Sequence, residues 1–448
     1  MVILDTICSE CTASYKSAIS VVRMSGPQSF EILSKMVGED VRSLKARVTY
    51  FVSLYVSEED KNTLIDKCLI VIFKAPHSFT GEDTVEFYTH GSRIIVNQLL
   101  DALVSYGARR ALGGEFSAKA FYNGKMDLSE AEAINSLINA RTGRSKDYAL
   151  RALGGNNSKL ISGMKQQLNL LSAEIETDID YPEYEDDKPL IGKAENLVDS
   201  LLEKVEPLIK SSRQSKYLFS GVKVAIVGEP NVGKSTLLNK ILGEDKAIVT
   251  PIPGTTRDVV EGEKELDGII YKFFDTAGIR DQAQQIEKIG IDKSYKAVQD
   301  ADIVLVLAEK AESLDKELEN LHLKSDKVDK PIIYVSTKKD LYGANSEAMI
   351  SISRDDASLD ELFKLMESKL DLDKKEEEGL TSSRDLDLLT EFSDCLRSIK
   401  KDIQEGLTID VAEIKLIKAT SYLDSILGTE STLEDIYSTV FKYFCVGK

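Results

Sequence analysis

The spacing of apolar positions changes character several times along the chain. Over residues 1 to about 120, runs at 18–24, 48–56 and 68–73 are rich in apolar and β-branched residues and predict strands, while 28–36 and 94–106 carry helical spacing. From about Leu128 to Leu208 the repeat is helical: Leu128, Ala131, Ile134, Leu137 and Ile138, then Leu160, Met164, Leu168, Leu171 and Ile175. Each set lays one apolar stripe along a helix, so long bundle helices are expected. The acidic, proline-bearing run from Asp178 to Asp187 reads as a solvated connector between them. From about Lys223 to Leu370 short β-rich runs at 223–227, 269–274, 303–307 and 332–335 alternate with helical stretches, the pattern of a doubly wound, mostly parallel sheet. The charged run Asp373-Lys374-Lys375-Glu376-Glu377-Glu378-Gly379 reads as a linker, and 386–444 is helical again.

Helical stretches on both sides of an α/β unit predict that this unit is inserted into a helical domain made of two separated segments. The expected fold is multidomain, α/β and all-α: a small α+β domain at 1–120, a helical bundle from 121–217 and 375–448, and an inserted P-loop domain at 218–374. A length of 448 residues suits about three domains.

Composition narrows the function. No run approaches the ~18–20 apolar residues of a membrane span, and the N-terminus has no basic region followed by an apolar one, so a cytoplasmic protein is expected. The 5 cysteines are odd in number and scattered, against a disulfide framework, and Cys8-Ser9-Glu10-Cys11 has no second pair to complete a metal site. His77, His90 and His322 form no ligand spacing. A net charge of −18 argues against a broad nucleic-acid surface, because phosphates are met by Lys and Arg. Any RNA contact should be local or shared with a partner.

The chemistry is carried by Gly228-Glu229-Pro230-Asn231-Val232-Gly233-Lys234-Ser235, which follows the predicted strand 223–227 and opens a helical stretch at Thr236. The glycines let the backbone amides of Asn231, Val232, Gly233 and the helix start face an anion, Lys234 reaches β- and γ-phosphates, and Ser235 is placed to ligand Mg²⁺. Three further signals follow in order. Gly254-Thr255-Thr256-Arg257-Asp258 offers hydroxyls for the Mg²⁺, with Thr256 the second candidate ligand. Asp275-Thr276-Ala277-Gly278 follows a strand, putting Asp275 near the metal and the Gly278 amide near the γ-phosphate. Thr337-Lys338-Lys339-Asp340 follows another, where Asp340 accepts from guanine N1 and N2 and the Lys338 stem lies over the base. Adenine has no such donor pair, so the nucleotide is GTP.

Two positions depart from the common pattern of the base site, and a third from that of the catalytic site. Thr337 stands where a base-reading Asn is usual, without the amide that ties the base to the phosphate loop, which predicts looser binding. Either Ser351 or Ser353 backs the guanine O6 contact. Ile279 occupies the place of the water-orienting Gln of Ras-like enzymes, so another residue must position the water and another cation must offset transition-state charge.

With these motifs, Ile286-Glu287-Lys288-Ile289-Gly290, the helical frame and the terminal Phe444-Cys445-Val446-Gly447-Lys448, the chain resembles the MnmE (TrmE) family of tRNA uridine-modification GTPases. The likeness extends through Val22-Arg23-Met24-Ser25-Gly26-Pro27, Thr80-Gly81-Glu82-Asp83, His90-Gly91, Gly114-Glu115-Phe116 and Asn123-Gly124-Lys125-Met126-Asp127-Leu128. It implies a homodimer formed through the N-terminal domain, a Ras-like GTPase domain, and hydrolysis when two such domains meet. It also implies K⁺ in the place of an arginine finger, held at the positions of Asn231, Thr250, Ile252 and Thr255. Glu287 then orients the water, with Lys234 and Gly278 completing the catalytic set. The N-terminal domain of the family is folate-binding, taking 5-formyl- or 5,10-methylene-tetrahydrofolate, which places Arg23, Glu86, Lys125 and Lys448 at the folate, with Cys445 a thiol beside it. An FAD-dependent partner of the MnmG (GidA) type, in a heterotetramer or larger complex, is implied for adding an aminomethyl or carboxymethylaminomethyl group at C5 of the wobble uridine (U34) of certain tRNAs. Candidate local tRNA contacts are Arg109, Arg110, Arg141, Arg144 and Arg151.

The chain departs from the family at Cys11-Thr12-Ala13-Ser14-Tyr15-Lys16-Ser17-Ala18, at Gly113 and at Ser382-Ser383-Arg384, where loop geometry should differ. A ribosome-assembly GTPase with RNA-binding flanks is the competing reading, and it predicts a basic appended domain. A scaffold with a vestigial site is opposed by the intact Lys234, Ser235, Thr256, Asp275 and Glu287.

Overall fold

The computed structural model describes residues 5–58, 61–180, 188–229, 231–243, 262–275, 298–309, 330–337, 350–351, 357–372, 379–406, 409–429 and 433–447. The chain divides into two compact units: Met1–Ile138, Ala152–Glu206 and Asp387–Lys448 form the first, Asn139–Arg151 and Pro207–Leu386 the second.

The first unit holds a six-stranded sheet built from β1 (Ile7–Glu10), β2 (Ile19–Ser25), β3 (Thr49–Glu58), β4 (Lys61–Phe73), β5 (Thr84–His90) and β6 (Arg109–Arg110). Their order is β3-β4-β5-β2-β1-β6, antiparallel except for the β1–β6 pair. Strands β2 and β3 match the expected 18–24 and 48–56 to within two residues, β4 contains the expected 68–73 but begins at Lys61, and β1, β5 and the two-residue β6 are additional. Helices α1 (Ser29–Val37) and α2 (Arg93–Ser105) supply apolar residues to the same core as one sheet face, through Met36, Leu33, Leu99 and Leu103 against Met24, Ile70, Ile72 and Phe87. Alternation along the strands sends the other side chains to the opposite face. That face carries the polar Arg23, Glu86 and Tyr88 beside exposed apolar side chains: Phe51 is 70% exposed, Ile19 59% and Leu69 44%, with Phe51 directly across from Leu69 and Leu69 across from Tyr88.

The helical elements that follow along the chain are α3 (Glu115–Tyr122), α4 (Leu128–Asn139), α5 (Gly143–Ala152), α6 (Asn156–Asp180) and α7 (Lys188–Ser220), of which α5 up to Arg151 and α7 from Pro207 belong to the second unit. The helical stripe expected on α6 is seen at Met164, Leu168, Leu171 and Ile175, all buried, but Leu160 is exposed and Ile161 takes its place in the core. Helix α6 runs on to Asp180, so the first residues of the expected acidic connector complete a helix; its remainder lies outside the described residues.

A buried ion pair ties three distant segments of this unit together. Lys119, on α3 and with no exposed side chain, donates to both oxygens of Glu82 at 2.9 and 3.0 Å and to the Asp5 carbonyl at 2.8 Å. Glu82 also accepts from Ser25 Oγ at 3.0 Å, and Asn123 donates to the Thr80 carbonyl at 2.7 Å.

The second unit contains a six-stranded sheet of β7 (Val222–Gly228), β8 (Gly262–Leu266), β9 (Ile269–Asp275), β10 (Ile303–Ala308), β11 (Ile332–Ser336) and β12 (Ile350–Ser351). The order is β12-β11-β10-β7-β9-β8, parallel except for β8, which pairs antiparallel with β9. The four expected strands match to within a residue or two. Strand β8 was not legible because Gly262-Glu263-Lys264-Glu265-Leu266 is polar, as an edge strand is free to be. Helices α8 (Lys234–Leu242) and α9 (Ala357–Lys369) share the core of the central strands. After α9 come α10 (Ser383–Gln404), α11 (Ile409–Leu427) and α12 (Leu433–Thr439), of which α11 packs along α6 in the first unit. The linker run 373–378 lies outside the described residues.

Replacing Lys119 by Met should destabilise the first unit by about 3 kcal/mol, because Glu82, only 18% exposed, would lose the buried ammonium that balances its charge. Urea denaturation followed by circular dichroism measures this, and a loss below ~1 kcal/mol would show that the pair contributes little.

Candidate nucleotide and cofactor sites

Strand β7 enters the phosphate loop as a fully apolar centre of the sheet, with Val224, Ala225, Ile226 and Val227 buried. It ends at Gly228, whose φ is +154° and where a Cβ would lie 2.5 Å from the Leu307 carbonyl oxygen. Only glycine fits between β7 and β10 at that point. Asn231 (φ +63°) and Gly233 (φ +106°) also adopt left-handed conformations before α8 begins at Lys234. Successive amides thus turn inward above a helix N-terminus, whose first N–H groups have no partner within the helix.

Lys234 is buried, and its Nζ donates to the carbonyls of Gly228 and Glu229, both at 2.8 Å. The ammonium is therefore held over the loop at the mouth of the anion site. Ser235 and Thr236 are exposed on the first turn of α8. The loop, the lysine and the hydroxyl fit a nucleotide triphosphate with Mg²⁺.

Strand register brings the other motifs to the same edge of the sheet. Asp275 ends β9 opposite Ile226, Ser336 ends β11 beside Ala308, and Ser351 ends β12 beside Ser336. All lie at carboxyl ends of parallel strands, where open α/β sheets bind ligands. Thr337 is buried, and its Oγ1 donates to the Val232 carbonyl at 2.7 Å. The hydroxyl thus makes a tie to the phosphate loop that the sequence had led us to regard as missing. Thr250, Ile252, Thr255, Thr256, Thr276, Ala277, Gly278, Glu287, Lys338, Asp340 and Ser353 lie outside the described residues.

In the first unit Arg23 and Glu86 are register partners on β2 and β5. Arg23 Nε and Nη2 both donate to Glu86 Oε1, at 3.0 and 2.8 Å, and Tyr88 donates to Oε2 at 2.9 Å. With side chains only 16% and 14% exposed, this is a sheltered pair rather than a surface one. The guanidinium carbon sits 5.2 Å from the Phe79 ring centre and 5.7 Å from that of Phe116, stacked by cation–π attraction. Burial, and then the Glu86 carboxylate it bonds, push the Tyr88 phenol above its ordinary pKa.

The C-terminal segment closes on this pair. Val446 bridges Gly113, the Gly114 amide donates to the Cys445 carbonyl at 3.2 Å, and the Gly447 carbonyl accepts from Cys11 Sγ at 3.3 Å and Arg23 Nη1 at 3.5 Å. Gly447 has φ +97°, and a Cβ there would meet the Glu10 carbonyl oxygen at 2.7 Å. Cys445 is exposed. Lys125 is exposed and donates to the Pro76 carbonyl at 3.0 Å, while Lys448 lies outside the described residues. A carboxylate, a phenol and a stacked guanidinium suit a flat heteroaromatic ring with a donor–acceptor edge, so the residues fit a pterin. Phe79 and Tyr88 gave no signal in the sequence, and Phe116 only as part of Gly114-Glu115-Phe116, since a lone aromatic acquires a role only beside its partner.

The arginines considered for RNA are largely engaged. Arg109 pairs with Glu115 and Asp5, which hold its pKa above the ordinary value, Arg110 with Asp101, and Arg141 with Glu263.

Residues 6–125 match the family model described as the GTP-binding protein TrmE N-terminus, and residues 128–445 match that of the MnmE helical domain. The chain belongs to the MnmE family of tRNA modification GTPases. Relatives of this name span it almost entirely. The MnmE of Enterococcus faecalis is 36% identical over 469 residues, covering 99% of this chain and 98% of that one. The Aquifex aeolicus MnmE is 36% identical over 444 residues, 97% of each. Among solved structures, a point variant of Aquifex aeolicus Era bound to GDP·AlF4⁻ is 28% identical over 39% of this chain and 66% of that one, with a TM-score of 0.26. The MnmE-family flanks account for the sheet and helices outside the nucleotide unit.

Thr337→Val keeps the shape and removes the hydroxyl that bonds Val232. Its GTP dissociation constant should rise about fivefold, the worth of one buried hydrogen bond; titration calorimetry showing an unchanged constant would mean the tie is idle.

Proposed function

We propose that this MnmE-family chain binds and hydrolyses GTP at the 228–235 loop and uses the cycle to drive tRNA modification with a partner. The single observation that carries the reading is the caged Lys234 beneath left-handed Asn231 and Gly233, at the sheet edge where Asp275, Thr337 and Ser351 converge. Lys234 binds the β- and γ-phosphates, Ser235 and Thr256 hold Mg²⁺, and the Gly278 amide meets the γ-phosphate. Asp340 and Lys338 read the base. Glu287 orients the attacking water in the role that Ile279 cannot fill. Asn231, Thr250, Ile252 and Thr255 would hold K⁺, which would supply positive charge to the transition state.

Two copies of the chain pair through the N-terminal domain. Support comes from the exposed apolar side chains of Phe51, Leu69 and Ile19 on one sheet face, a patch of the kind that marks interaction sites. The Arg23–Glu86 pair, with Lys125 and Lys448, would hold 5-formyl- or 5,10-methylene-tetrahydrofolate, whose chemistry is one-carbon donation, and Arg23, Glu86 and Tyr88 supply the polar groups that would orient its ring. Cys445 is a thiol at the rim. An FAD-dependent MnmG-type partner completes the modification at C5 of the wobble uridine. A net charge of −18 supports the partner providing much of the tRNA surface. We place the chain in the cytoplasm, with the tRNA that it serves in this reading. No described helix is long and apolar enough to cross a membrane.

Mass spectrometry of wobble uridines in host tRNA, with and without the gene, tests the pathway. The 5-aminomethyl-type modification should vanish on deletion and return with the intact gene but not with a Lys234→Ala copy; persistence of the modification would leave the ribosome-assembly reading as the next to pursue. For the chemistry, Glu287→Ala should reduce kcat by at least about 100-fold while GTP binding stays within about twofold, because water positioning acts in the transition state. Replacing K⁺ by Na⁺ should slow hydrolysis, and indifference to the ion would remove K⁺ from the site.

A further inference from the structure

A contact within the second unit lies away from the loop that holds the nucleotide. Strands β8 and β9 form a hairpin whose two-residue turn, Asp267 (φ +45°) and Gly268 (φ +77°), is of the tight type that matches strand twist. In sequence this hairpin joins the Gly254-Thr255-Thr256-Arg257-Asp258 run to Asp275, the two stretches expected to sense the γ-phosphate. The start of α5 sits on its turn. Thr142 Oγ1 donates to the Gly268 carbonyl at 2.8 Å, and Arg141 donates to Glu263 on β8 at 2.6 and 3.3 Å. A Cβ on Gly268 would lie 2.8 Å from the Arg144 Cβ, so helix and turn are in direct contact.

The residues on the helix side are built for the purpose. Thr142 accepts from the Ser145 amide at 3.2 Å while Ser145 Oγ accepts from the Thr142 amide at 3.1 Å, a reciprocal cap that fixes the Thr142 hydroxyl. Beside the contact a cavity of about 320 Å³ is lined by Arg144, Asp267, Glu367 and Leu372. A polar contact next to free volume has room to shift, unlike a close-packed core.

Strand β8 has its register on β9 fixed by the two-residue turn, but it is an edge strand with β9 as its sole strand neighbour among the described residues, so contacts from outside the sheet help to hold its free side. We propose that the N-terminus of α5 anchors the β8–β9 hairpin in place for GTP hydrolysis, with Thr142 and Arg141 as positioning residues. Residues Ile138 and Ala152 on either side belong to the first unit, so the clamp is carried by chain continuous with that unit. The inference rests on the GTPase reading for its kinetic consequence but not for its structural one.

Two measurements on the full-length chain test it. In hydrogen exchange, amides of residues 262–268 should exchange several-fold faster in Thr142→Val than in the wild type or in Thr142→Ser, which keeps the hydroxyl. In steady-state hydrolysis with K⁺, Thr142→Val and the reversals Arg141→Glu and Glu263→Arg should each change kcat about three- to fivefold with KM for GTP within about twofold, the size expected for one hydrogen bond or one partly exposed ion pair. The Arg141→Glu, Glu263→Arg double variant should recover most of kcat, a rescue that general loss of stability would not give. Unchanged exchange in Thr142→Val, or a double variant as impaired as the singles, would overturn the proposal. Absence of turnover in the wild type would count against the GTPase reading instead, and exchange would still decide the clamp.

Discussion

Strand β7 is hydrogen-bonded on both sides, to β9 and to β10, and the second unit depends on where that pairing stops. The strand pairs with β9 through Ile226 and with β10 through Gly228, and it has apolar contacts on both faces. At Gly228 the Leu307 carbonyl leaves no room for a side chain, the ladder ends, and the backbone is released into left-handed turns. The amides that begin α8 have no acceptor within their own helix, and that is what makes the loop an anion site. Lys234 shows the same economy: its charge is kept near the loop by two carbonyls that a bound phosphate would compete with.

In the first unit the corresponding constraint is the burial of charge. Lys119 and Glu82 are secured by each other and by Asp5 and Ser25, so the segment before β1, the loop before β5 and helix α3 must assemble together. That loop also carries Phe79, and α3 carries Phe116, the two rings that flank the Arg23 guanidinium. The C-terminal Cys445-Val446-Gly447 segment then adds its backbone to Gly113, Gly114 and Cys11. Gly447 is required by the approach of the Glu10 carbonyl, a reason for glycine that has nothing to do with turns.

The substitution at Thr337 illustrates how a local departure is absorbed. In the common pattern an Asn amide links the base-reading segment to the phosphate loop; here a hydroxyl at the end of β11 reaches the Val232 carbonyl, because the register of β11 against β10 brings that residue within 2.7 Å. The link is made by a different group at the same junction.

By itself the sequence determined the strands with dense apolar runs, the helices with full stripes, the phosphate loop and the order of the nucleotide motifs. Each is encoded over a few adjacent residues, through periodicity or through glycines at fixed spacing. The tertiary structure decided what depends on partners far along the chain. Strand β8 is polar and exists by pairing with β9. Ile161 replaces Leu160 in the α6 core through the rotation the packed helix adopts. Arg23 is sheltered by Phe79, Phe116 and Gly447 from three separate segments, and residues 139–151 join the nucleotide unit although their helical pattern resembles that of their neighbours. Local propensity leaves these choices nearly even in energy, and packing and hydrogen bonding between distant residues supply the difference.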